Sequence, residues 1–253
     1  MRTRFKIWVT GMVWTALGLY GATWLNQPAS EATPAQDSVL SASVGIHRGV
    51  TVQAGPSVSK RPVVLVAGIF DTGDKMTPVD DALARYGFNT RYKVDLIPSD
   101  GSVSLTILAA QLKVAIERIC TQNQTQTIDL VAYSMGAIVS RYYLQNLGGL
   151  RRTAHLVTIA APHHGTLAGF FVKGPAPREM RTGSQFMAQL NDGAGILCRI
   201  PCASLWTPFD GVILPASSSV VPWAHNQAFR APTHPDMLGD RDVQASVAAA
   251  LLR

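Results

Sequence analysis

Apolar positions along the chain fall into two alternating patterns. Pro62 to Ala67 is a short continuous run rich in β-branched residues and closed by Gly68, as expected of a strand buried on both faces of a parallel sheet. Arg91 to Ile97, Thr127 to Tyr133 and His155 to Ala160 repeat that pattern, and Ser204 to Trp206 and Ala228 to Arg230 supply two shorter strands. Between them the spacing changes. Leu105, Leu108, Leu112, Ile116 and Ile119 recur at three and four residues, which predicts an amphipathic helix over Ser104 to Cys120. Val79 to Tyr86, Met135 to Leu147 and Val243 to Leu251 read as further helices. Strands alternating with helices predict an α/β domain with a mostly parallel central sheet of about six strands, joined by right-handed crossovers and flanked by helices.

The amino terminus follows a different rule. Met1 to Lys6 is basic, and Ile7 to Leu25 then runs for 19 residues without a charge. As a helix it would be about 28 Å long, close to the thickness of a bilayer core. Trp8 and Trp24 stand near its ends, as interfacial anchors do. Residues 1–32 are therefore expected to be a signal anchor or a signal peptide, with Ser30-Glu31-Ala32 a loose fit to a cleavage site. Basic residues ahead of the run orient the amino terminus inward, so residues 7–25 would touch the membrane and the rest would face the periplasm or exterior, or be secreted after cleavage. Residues 33–60 are rich in Pro, Ala, Ser, Thr and Gly and read as a linker with one short strand at Val50 to Gln53. The catalytic domain is then expected over 61–253.

Composition excludes several classes. With 47% hydrophobic and 15% charged residues in 253, the chain has enough apolar surface for a sizeable core. Its 22 basic and 16 acidic side chains give +6, of which the first 32 residues hold +2. The remaining charge is diffuse and forms no basic run interleaved with aromatics, so no nucleic-acid partner is expected. Three cysteines are too few for a disulfide scaffold, and none stands at zinc-ligand spacing, so no metal is expected.

The most informative residues are Ala132-Tyr133-Ser134-Met135-Gly136, placed where a strand meets a helix. A nucleophile elbow needs small residues two places either side of the serine, because bulk there would collide with neighbouring backbone. The serine is lifted above the sheet at the helix amino terminus, where the next amide and the helix dipole favour an oxyanion. Ser134 as a plain helix cap is the competing reading.

Four stretches together resemble the α/β-hydrolase lipases and esterases, in particular small, lid-poor bacterial triacylglycerol lipases whose elbow reads Ala-His-Ser-Met-Gly. Tyr133 replaces that histidine. Val64 to Phe70 resembles the family's strand ending in His-Gly-x, with Ala67 in place of the histidine, a change that removes a side-chain support of the loop. Thr158 to Thr166 resembles its Pro-His-x-Gly turn, Trp206 to Pro215 its strand-end acid, and Thr233 to Leu238 its histidine loop. The resemblance covers roughly Arg61 to Leu252. It implies an α/β-hydrolase fold and a triad in the order Ser134, Asp210, His234, with the amides of Ile69 and Met135 as the oxyanion hole and no cofactor. The implied activity is hydrolysis of lipid-like acyl esters through an acyl-enzyme. An envelope-lipid acyltransferase, or a non-catalytic membrane-tethered binding protein on the same fold, is the alternative.

Other titratable residues receive plainer readings. His163 and His164 are loop supports or cleft lining, Asp240 a helix cap, Asp71 and Asp74 turn or cap residues, and Asp236 belongs to the histidine loop. Gly165 to Pro201, where such folds insert lids, spans 37 residues with one helical stretch at Ser184 to Leu190, so a minimal lid is expected. Cys198 and Cys202 stand four apart and suit a small disulfide loop outside the cytoplasm, whereas Cys120 reads as a buried thiol. Nothing in the pattern bears on oligomeric state.

Overall fold

Runs of valine, leucine and isoleucine form the centre of the sheet because both of their faces are covered. The computed structural model describes residues 44–49 and 57–253; the Ile7 to Leu25 run and the Val50 to Gln53 strand lie outside these. Seven strands, β1 (Ile46–Arg48), β2 (Val63–Val66), β3 (Arg91–Val94), β4 (Ile128–Tyr133), β5 (Thr153–Ile159), β6 (Cys202–Trp206) and β7 (His225–Ala228), form one sheet in the order β1-β3-β2-β4-β5-β6-β7. All neighbours pair in parallel except β1 with β3.

Side chains alternate between two cores. Val64, Val66, Leu130, Ala132 and Leu156 point toward α2 (Leu105–Gln122) and α3 (Met135–Asn146). Val63, Leu65, Val131, Tyr133, Val157 and Ile159 point toward α1 (Thr77–Arg85), α6 (Asp236–Gly239) and α7 (Arg241–Ala250). This two-sided burial explains why the central strands read as unbroken apolar runs. Asp240 caps α7 as expected, accepting hydrogen bonds from the amides of Asp242 and Val243.

Four expectations change. A seventh strand, Ile46–Arg48, lies within the expected linker and pairs antiparallel with β3 through Ile46 and Val94, His47 and Lys93, and Arg48 and Tyr92. The last strand lies at His225–Ala228 rather than Ala228 to Arg230, and β3 ends at Val94 rather than Ile97. The edge strands carry polar residues because one side of each meets solvent. Cys198 and Cys202 are both free thiols, and the Cys202 thiol turns instead toward the carbonyl of Leu197 at 3.5 Å. The Gly165 to Pro201 interval folds into α4 (Pro175–Glu179), α5 (Gln185–Asp192) and short 3-10 turns, with no long lid helix. Among the described residues, no helix is long and apolar enough to cross a membrane.

Candidate active site

The connection from β2 leads outward to β3, whereas β4 lies on the opposite side of β2, so the strand order reverses between β2 and β4. Ligands of open α/β sheets bind outside the carboxyl ends of strands at such a reversal. Ser134 follows β4 directly, and Ile69 is the third residue after β2.

Ser134 joins β4 to α3 with φ 53° and ψ −125°, a backbone conformation that costs about 1–3 kcal/mol for a residue bearing a Cβ. Its amide donates to the carbonyl of Ile159 at 3.0 Å, and its carbonyl accepts from Ala137 at 3.1 Å. The small flanks are required by space. A Cβ on Gly136 would run into the carbonyl oxygen of Ala67 and stand 2.9 Å from that of Val66, while one on Gly68 would stand 3.0 Å from Ser134 Cβ. The Ser134 side chain makes no capping hydrogen bond, which sets aside the helix-cap reading.

Instead Ser134 Oγ lies 3.0 Å from His234 Nε2, and His234 Nδ1 lies 2.7 Å from Asp210 Oδ2. The other carboxylate oxygen accepts from the amides of Val212 at 2.9 Å and Ile213 at 2.8 Å, so the acid is held as an acceptor on both sides. All three side chains are buried. A hydroxyl in this line can pass its proton to the imidazole while the carboxylate orients and stabilises the resulting imidazolium.

Two supporting roles are not legible in the sequence. Thr166 Oγ1 donates to the carbonyl of Val212 at 2.7 Å and accepts from the amides of Leu214 at 3.0 Å and Ala168 at 3.2 Å, stitching the loop after β5 to the loop of Asp210. The Tyr133 ring lies against the His234 imidazole with centroids 4.8 Å apart and a 36° tilt. Tyr133 points that way because it alternates onto the same face of β4 as Val131; the elbow pattern marks its position but not its neighbour.

The loop carrying Ile69 is held through its backbone. Phe70 adopts φ 63° and donates its amide to the carbonyl of Ser99 at 2.7 Å. Ile69 Cδ1 and Pro177 both crowd Gly101, where a Cβ would stand 2.9 Å from each. The Met135 amide opens α3 and, as a first-turn donor, lacks an acceptor within its own helix.

The remaining residues take other positions. His163 is buried, with Nε2 3.0 Å from Thr158 Oγ1 and its ring edge-on to Trp223. Burial, aided by the positive charge of Arg141, holds this imidazole well below its ordinary pKa. The fully buried Arg141 donates to the carbonyls of His163 and Leu190 and to Asn191 Oδ1, and burial lowers its pKa to about 9. The His164 backbone amide donates to Ser218 Oγ at 3.0 Å, and its ring Nε2 lies 3.1 Å from the carbonyl of Val220. Asp74 pairs with Lys93 at 2.8 Å and Asp71 lies 3.8 Å from Lys75, so both make ion pairs rather than caps. Burial raises the Asp71 carboxyl, opposed by the nearby charges of Lys75 and His234. Among the described residues, no group of three His, Cys, Asp or Glu is placed to hold a metal ion.

Comparison with solved structures finds the same fold at low identity. The mature Bacillus licheniformis lipase BlEst2 superposes with a TM-score of 0.69 at 18% identity, over 82% of this chain and 98% of that one. Aspergillus fumigatus lipase B gives 0.68 at 16%, over 93% and 61%, and an esterase from Thermogutta terrifontis gives 0.57 at 16%, over 82% and 92%. No curated protein sequence matches. The palmitoyl protein thioesterase family model matches residues 62–194, which span the elbow and the turn after β5. With the lipase-like sheet around it, this match makes the chain an α/β-hydrolase that belongs to the palmitoyl protein thioesterase family.

Proposed function

We propose that the protein is a serine hydrolase of lipid-like acyl esters, oxygen esters or thioesters, working through an acyl-enzyme on Ser134. The observation that carries this reading is the line of hydrogen bonds Ser134–His234–Asp210, 3.0 Å and 2.7 Å long, set on an elbow at the sheet's reversal point. Ser134 Oγ attacks the acyl carbonyl carbon as His234 Nε2 takes its proton. Asp210 keeps the imidazole tautomer and stabilises the imidazolium without becoming protonated. The carbonyl oxygen, now anionic, accepts from the amides of Ile69 and Met135, aided by the positive end of α3. As the tetrahedral adduct collapses, the alcohol or thiol leaves and takes the proton from His234. A water then gives a proton to His234 and attacks the acyl-enzyme, releasing the acid and restoring Ser134. The chain's own residues supply every proton transfer, so this mechanism needs no cofactor.

The basic amino terminus and the uncharged run from Ile7 to Leu25 support placement outside the cytoplasm, tethered by residues 1–32 or released after their cleavage. The substrate is then an acyl ester met at the membrane face.

The test is hydrolysis of p-nitrophenyl esters and acyl thioesters from acetyl to palmitoyl, with Ser134→Ala alongside and a fluorophosphonate probe as covalent reporter. Activity and adduct that both vanish in Ser134→Ala are expected. Absence of an adduct in folded protein would refute the reading and favour a binding protein on this fold. Acyl transfer to an added alcohol exceeding release of free acid would favour the acyltransferase.

A further inference from the structure

The segment after β5 combines exposed aromatics with unopposed positive charge. Leu167, Phe170 and Phe171 expose 48%, 53% and 68% of their surface, and Phe70 and Phe209 expose 44% and 58%. Five large apolar side chains left in water mark an interaction surface when they are contiguous.

Contacts between the loops that carry them gather these side chains around one rim. The Leu167 amide donates to the carbonyl of Leu214, tying this segment to the loop of Asp210, which Phe209 immediately precedes. Gly169 packs on the carbonyl of Pro177, Pro177 packs on Gly101, and Gly101 packs on Ile69, which Phe70 immediately follows. All these loops leave the carboxyl ends of the strands, the side on which Ser134 stands. The rim is therefore the mouth of the candidate site.

Within the segment after β5 the charge is one-sided; elsewhere on the rim Asp71, beside Phe70, lies 3.8 Å from Lys75, and Asp100, beside Gly101, accepts from the Ser102 amide at 2.9 Å. Between Gly165 and Ser184 the basic residues are Lys173, Arg178 and Arg181, and the sole acid is Glu179. The Glu179 carboxylate is committed at 2.7 Å to both the Ser104 hydroxyl and the Leu105 amide at the start of α2. Lys173 and Arg178 are exposed, while Arg181 lies 4.8 Å over the Phe170 ring and donates to the carbonyl of Gly169. Aromatics beside solvent-facing cations fit a layer that is apolar below and anionic at its surface, the interface of an acidic bilayer.

We propose that this rim docks on a bilayer carrying anionic headgroups, with Phe170 and Phe171 entering the acyl layer and Lys173 and Arg178 meeting the headgroups. This rests on the hydrolase reading above and adds the surface from which the substrate is drawn. Docking there sets the mouth against the layer holding the acyl chain, so an ester reaches Ser134 without crossing water.

The experiment uses the full chain in every arm, so any contribution of residues 7–25 is common to all. Rates are measured on a soluble short-chain ester and on a long-chain ester carried in phosphatidylcholine vesicles with and without phosphatidylglycerol. The double variant Phe170→Ser/Phe171→Ser is expected to lose about tenfold on vesicles and nothing on the soluble ester. Lys173→Gln/Arg178→Gln is expected to weaken the preference for anionic vesicles by about fivefold for each charge removed, against the constant contribution of the basic amino terminus, and an undiminished preference would overturn the role of these two cations. A polarity-sensitive fluorophore on Phe171→Cys, in a Cys198→Ser background, is expected to shift blue on adding anionic vesicles. An unchanged vesicle rate in the phenylalanine variant, an equal fall on both substrates, or a dimer that dissolves when the patch is substituted would each overturn docking. If the wild type hydrolyses neither ester, the hydrolase reading fails, and the fluorophore shift alone decides docking, its absence refuting it.

Discussion

Gly136→Ala tests whether the contact between the elbow and the end of β2 sets the geometry of the site. The added methyl would run into the Ala67 carbonyl oxygen and stand 2.9 Å from the Val66 oxygen and 3.0 Å from Val66 Cγ1. Carbon and carbonyl oxygen normally approach to about 3.3 Å, so α3 and β2 must part by roughly 1 Å. Two of the three obstacles are backbone of a central strand, which cannot swing aside as a side chain does. Overpacking of this kind costs about 1–3 kcal/mol. The same displacement separates Ile69, two residues beyond Ala67, from Ser134, and misplacement by about 1 Å costs on the order of a hundredfold in rate.

The expected result is a melting temperature lower by roughly 3–10 °C for a chain of this size, with kcat down about a hundredfold. Scanning calorimetry and short-chain ester hydrolysis measure the two. Gly239→Ala is the control, because a Cβ there meets nothing within 4 Å. Wild-type melting and kcat in Gly136→Ala would refute the argument that this contact fixes the elbow. A fall in melting temperature with unchanged kcat would refute only its link to the Ile69 amide.

Three further outcomes are expected. Thr166→Val keeps shape but strands the Val212 carbonyl and the Leu214 and Ala168 amides; it should cost about 2 kcal/mol in denaturant unfolding and lower kcat by loosening Asp210. Tyr133→Leu removes the ring against His234 and should lower kcat about tenfold at constant KM, with Tyr133→Phe restoring the rate, as steady-state kinetics will show. His163 is held neutral by burial, so in acid the unfolded chain binds a proton that the folded chain refuses. Its contribution to the pH profile is flat above the ordinary histidine pKa of about 6.5 and falls below it by roughly 1.4 kcal/mol per pH unit. Urea unfolding from about pH 5 to about pH 7, on either side of the ordinary histidine pKa, should show a shallower slope in His163→Gln.

The sequence pattern reveals what burial on two faces imposes and little that depends on one face. β2, β4 and β5 are legible because both cores demand apolar residues at consecutive positions. β1, with Ile46-His47-Arg48, and β7, with His225-Asn226-Gln227-Ala228, lack that signature, because an edge strand needs backbone partners more than an apolar side chain. Ser134 is legible through its small neighbours, and Asp210 and His234 through motif order. Thr166 is not, because its role lies in bridging loops 46 and 48 residues apart in sequence. The Cys198 and Cys202 spacing suits a bridge, but bond formation depends on Cβ directions that spacing does not encode.

Ala67 shows where a missing side chain is replaced by backbone. The resemblance to lipases places a histidine at that position, and alanine removes the brace that side chain would give the following loop. Here Phe70 takes a left-handed conformation that turns its amide onto the Ser99 carbonyl, and the Ile69 side chain wedges against Gly101 beside Pro177. On the inner side, Gly136 lets α3 rest directly on the Ala67 and Val66 carbonyls, and Gly68 lets Ser134 sit against the strand end. Glycines 68, 101 and 136 thus allow three backbone segments to approach more closely than any Cβ would permit. Fixed backbone dipoles need little reorganisation as charge develops, which is what an oxyanion site requires. An alanine at position 67 is therefore compatible with a rigid loop, because the support the histidine would give is carried by close packing of the main chain and by the Ile69 side chain against Gly101 and Pro177.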